Sequence, residues 1–73
     1  MFTLYDLPKA TNDINAVIAE RVSAYRARLH QSPTVALVHP SRLAQVQAVL
    51  PFARTRQANE PVPQPGDLLL GAL

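Results

Sequence analysis

The side chains that could do chemistry in this sequence are few: two imidazoles, a serine beside one of them, and a handful of arginines. His30 and His39 stand nine residues apart. A catalytic zinc site draws on three protein ligands, often two histidines one helical turn apart with a glutamate between them, and that spacing does not occur here. The 73 residues include no Cys and two Gly, which excludes thiolate metal sites, thiol catalysis and glycine-rich phosphate loops. No metal and no cofactor is expected.

Ser41 lies two residues after His39, in a Val38-His39-Pro40-Ser41-Arg42 turn between an extended run and a helical one. A nucleophile elbow would sit at such a junction, but it needs flanking glycines for close passage of the backbone, and this turn has none. Ser41 is read as a helix N-cap. His30 is read as a cation near a helix C-terminus, where it meets the dipole favourably. The acids Asp6, Asp13, Glu20, Glu60 and Asp67 include no pair at helical i, i+3 or i+4 spacing, so paired-carboxylate chemistry has no local support. No residue is assigned a catalytic role. A site shared between subunits and combining His39, Ser41 and an arginine is the one enzymatic arrangement the sequence offers.

Seven basic residues against five acids leave a net charge of +2. The cations are dispersed rather than gathered in a stripe. Arg54 and Arg56 fall on one face of an extended segment with Arg42 nearby, and these three form the best basic cluster for an anion or a nucleic acid. In that alternative reading the chain is a small nucleic-acid-binding protein with a wing-like loop over residues 58–67. Aromatic residues are 5% of the chain and no stacking platform adjoins the arginines, so a solvated strand face is favoured. Phe52 shares their face by the two-residue period, which sets its burial against their hydration.

These groups must be positioned by elements whose pattern is clearer than their chemistry. Phe2 to Tyr5 reads as a short strand stopped at Pro8. Thr11, Asn12 and Asp13 offer caps for a long helix that runs to Gln31, with Ile14, Val17, Ile18, Val22, Tyr25 and Leu29 on one arc. Thr34 to His39 reads as a strand apolar on both faces. A short second helix runs from Pro40-Ser41 to Pro51, and Phe52 to Gln57 is a further strand. Residues 58–67 form a Pro-rich connecting loop ending in Pro65-Gly66, a pair suited to a type II turn, and Leu68 to Leu73 closes the sheet. The expected fold is a single small two-layer α/β domain over 1–73, with a mixed three- or four-stranded sheet, one long helix and one short helix.

Hydrophobic residues make up 48% of the chain and charged ones 16%, against roughly 25% charged in ordinary soluble domains. Two strands look apolar on both faces, and two helices are available to cover them. A partner is therefore expected to supply the missing cover. The outer arc of the long helix, Ala16, Ala19, Ser23 and Ala27, is smooth enough to serve as a packing seam. The function expected is non-catalytic association, as a homo-oligomer or as a subunit of a larger assembly. No apolar run reaches membrane-spanning length and no leader is visible, so the expected compartment is the cytoplasm.

Overall fold

A computed structural model describes residues 2–9 and 13–72. The elements in chain order are β1 (Phe2–Asp6), α1 (Ile14–Leu29), β2 (Val35–Leu37), a 3-10 turn (Pro40–Arg42) leading into α2 (Leu43–Gln47), β3 (Ala53–Arg54) and β4 (Asp67–Gly71). The expected fold class is met: a small α/β domain with a mixed four-stranded sheet, one long helix and one short one. The strand order is β1-β4-β2-β3. β4 is antiparallel to both neighbours, with Leu69 opposite Leu4 on one side and Leu37 on the other, while β2 and β3 are parallel with Leu37 opposite Arg54.

α1 starts where the Asp13 carboxylate accepts the Ala16 N–H at 3.1 Å, satisfying one of the donors that a helix start leaves open. Thr11 and Asn12, the other capping candidates, lie outside the described residues. α1 ends at His30, which adopts a left-handed conformation with φ 56° and donates its N–H to the Arg26 carbonyl. This closes the helix two residues short of the expected end at Gln31. The second helix is shorter than expected. Its first turn is 3-10, and the cap is the His39 ring rather than Ser41: His39 Nδ1 accepts the Ser41 N–H at 3.1 Å.

Both helices lie on one side of the sheet. Ile18 and Tyr25 of α1 and Val46 of α2 share a core with Ala36, Val38, Ala53, Leu68 and Leu70. By strand alternation the opposite face carries Phe2, Leu4, Val35, Leu37, Leu69 and Arg54. Val35, Leu37 and Leu69 form a second cluster there, with Phe2 packed against it.

The expectation that these strands need a partner's cover is overturned. Every residue from Val35 to Val38 and from Leu68 to Leu70 is buried by the chain's own atoms, Leu69 being the most exposed at 7%. Neither helix covers the second face; by alternation Arg54 shares it with Leu37, and Arg54 pairs with Glu60 in the connection that leads on to β4. Pro63 within it is buried. No helix among the described residues is long and apolar enough to cross a membrane.

Two local expectations are also corrected. β3 is two residues long, so Phe52 falls in the preceding turn, where it is 36% exposed, and its conflict with the arginines disappears. The Pro65-Gly66 turn is closed by Asp67 N–H to the Gln64 carbonyl at 3.0 Å, but Gly66 does not take a positive φ, so the turn is not type II. Asp67 instead pins it from the side, its Oδ2 accepting the Gln64 N–H at 2.9 Å.

Candidate functional site

The three arginines singled out by the sequence do not form an open basic cluster. Arg42 is buried at 8% exposure. Its Nη1 donates to the carbonyls of Leu7 (3.3 Å) and Pro65 (3.0 Å), its Nη2 to Pro8 (3.4 Å), and its Nε to Gln45 Oε1 (3.0 Å). One guanidinium thus clips the end of β1, the Pro65-Gly66 turn and α2 together. Its rigid five-donor fork suits a site crowded with carbonyls, where an ammonium would reach fewer of them.

Arg54 makes a two-pronged pair with Glu60, Nη1 to Oε1 at 2.7 Å and Nη2 to Oε2 at 2.8 Å. Gln57 N–H adds a third donor to Glu60 Oε1 at 2.7 Å. The Arg54 hydrogen bonds come first and the Gln57 N–H second in holding the Glu60 carboxyl at about 2, well below its usual 4.5, against an opposing cost of desolvation. The same hydrogen bonds with Glu60 raise Arg54. Arg56 is exposed, and its Nε–H goes to the Glu60 carbonyl at 3.0 Å.

His39 and Ser41 do meet, Nδ1 to Oγ at 2.8 Å. The same Nδ1 accepts the Ser41 backbone N–H, so the imidazole acts as the cap of the 3-10 turn. His30 lies exposed at the far end of α1. The four small residues Ala16, Ala19, Ser23 and Ala27 are all exposed and point away from the sheet.

A feature that the sequence reading passed over is the difference between the two sheet edges. β3 is short, its Ala53 carbonyl accepts the Gln47 side-chain N–H at 3.0 Å, and the charged Arg54 follows. Such an edge is closed to further pairing. β1 is five residues long. Leu7 N–H donates across to Gly66 at 2.7 Å, so by alternation Thr3, Tyr5 and Leu7 aim their backbone groups at β4, while Phe2, Leu4 and Asp6 aim theirs off the sheet. The Asp6 carbonyl is taken by Arg21 Nε at 3.1 Å, and the Asp6 carboxylate by Arg21 Nη2 at 3.0 Å. Phe2 and Leu4 carry neither charge nor proline to blunt the rest of the edge. Leu4 is 61% exposed at the rim of the second-face cluster.

The chain matches no protein-family model, and neither the curated proteins nor the solved structures include a match to it.

Proposed function

We propose that this chain is a non-catalytic association protein that pairs through the open edge of β1, and that its partner there is a second copy of itself. The observation that carries this reading is the contrast between an edge closed by Gln47 and Arg54 and an edge left uncharged over Phe2 to Tyr5. Pairing two β1 strands antiparallel about Leu4 sets Leu4 against Leu4 and Thr3 against Tyr5, extending each four-stranded sheet into one of eight. The strand's single charge, Asp6, is already neutralised by Arg21, so two copies meet without carboxylate repulsion. Burying Leu4 at the seam enlarges the apolar cluster of the second face. The small-residue face of α1 points elsewhere and takes no part in this pairing.

Sedimentation velocity from micromolar to near-millimolar concentration tests the proposal. A dimer fraction that rises with concentration is expected, and Leu4→Lys should abolish it. Leu4→Pro should do the same while leaving the β1–β4 ladder whole, because the N–H it removes points off the edge. A wild-type monomer across the range overturns self-association, as does a dimer indifferent to both variants. Nothing in the geometry favours the nucleic-acid reading, since the arginines it relied on are engaged within the chain.

A further inference from the structure

Beside this edge, on the helix side of the sheet, lies a cleft of about 310 Å³ lined by Thr3, Tyr25, Arg28, Leu29, Gln31 and Ala72. Tyr25 is 1% exposed, yet its hydroxyl has no hydrogen-bond partner among the described residues. Tyr25 is part of the cleft's lining. A phenol this deep normally finds a partner. Arg28 stands at the rim. The other arginines of α1 are engaged, Arg21 with Asp6 and Glu20 and Arg26 with Ser32, whereas Arg28 pairs with nothing among the described residues.

We infer that this cleft binds a small organic monocarboxylate with a short apolar tail. The carboxylate accepts from Arg28 and from the Tyr25 hydroxyl, and the tail lies against Leu29 and Ala72. One unpaired guanidinium matches one negative charge, and it repels an amine. The α1 C-terminus opposes an anion with roughly half a unit charge, partly spent on the His30 N–H, so the full charge of Arg28 prevails. The volume falls at the low end of ligand pockets, which restricts the tail to a few carbons.

The test is a titration of the full chain with hexanoate, hexanol, hexylammonium and inorganic phosphate, followed by amide chemical shifts. Hexanoate should give saturable shifts at Thr3, Leu29, Gln31 and Ala72, with hexanol about tenfold weaker and hexylammonium and phosphate without effect. Arg28→Met, at an exposed position, should weaken hexanoate about tenfold. Tyr25→Phe should weaken it about threefold with no loss of thermal stability, because the hydroxyl gives up no partner within the chain. Three results overturn the inference: no saturable shift up to the solubility limit of hexanoate, equal binding of hexanol or phosphate, or full affinity in Arg28→Met. Since none of these readouts depends on dimer formation, the inference stands or falls apart from the pairing of β1.

Discussion

Arg42 shows how a residue type can mislead when it is weighed by charge alone. The seven prolines remove seven backbone donors while leaving their carbonyls in place, and two of those carbonyls, on Pro8 and Pro65, take N–H groups from Arg42. A proline-rich chain with few charges and several arginines has this use for a guanidinium, and that imbalance of donors and acceptors was the signal available in the sequence. Arg42→Ala should cost about 2–4 kcal/mol, since it strands the buried Leu7 carbonyl and unclips three segments at once. Arg42→Lys should recover part of that, because one ammonium cannot reproduce the fork. Urea unfolding checks both, with a lowered midpoint and an unchanged slope expected.

Among the elements, α1 ends on a residue poorly suited to its backbone. His30 holds φ 56° with a side chain that is exposed and has no hydrogen bond among the described residues, so replacing it with glycine removes strain without removing a contact. His30→Gly should stabilise the fold by about 0.5–1 kcal/mol, measured as a rise in thermal midpoint. The long helix was legible because its apolar arc is wide and an acid stands ready to cap it. β2 and β4 were legible because their apolar runs lie between turn residues. The short pieces were not. Phe52 to Gln57 has the composition of a strand, but β3 is held by a two-residue parallel register and stops once Arg54 turns to Glu60, a partner six residues on that no periodicity announces. The His39 cap was hidden by the assumption that Ser41, the better capping type, would serve.

For the molecule as a whole, the Arg54–Glu60 pair ties the connection that precedes β4 back to β3. A carboxyl held at about 2 in the fold and near 4.5 when unfolded contributes stability that is complete above pH 4.5 and lost as the pH falls toward 2. Glu60→Gln should therefore be less stable than wild type at pH 7, with the gap closing across that window. Denaturant midpoints at pH 7, 4 and 2.5 measure it. The shortage of cover inferred from composition failed because it counted helices alone, whereas Val35, Leu37 and Leu69 are buried on the face that neither helix covers. The site residues were less legible than the fold, because an open edge is a property of which strand ends up outermost, and strand order is not written in local pattern. That order has a consequence for assembly. β4 follows the other three strands in sequence yet lies between β1 and β2, so β1 can find no neighbour and β2 keeps a bare flank until residues 67–71 arrive. A nascent chain must wait, with β1 idle, for residues 67–71 to insert between partners made long before.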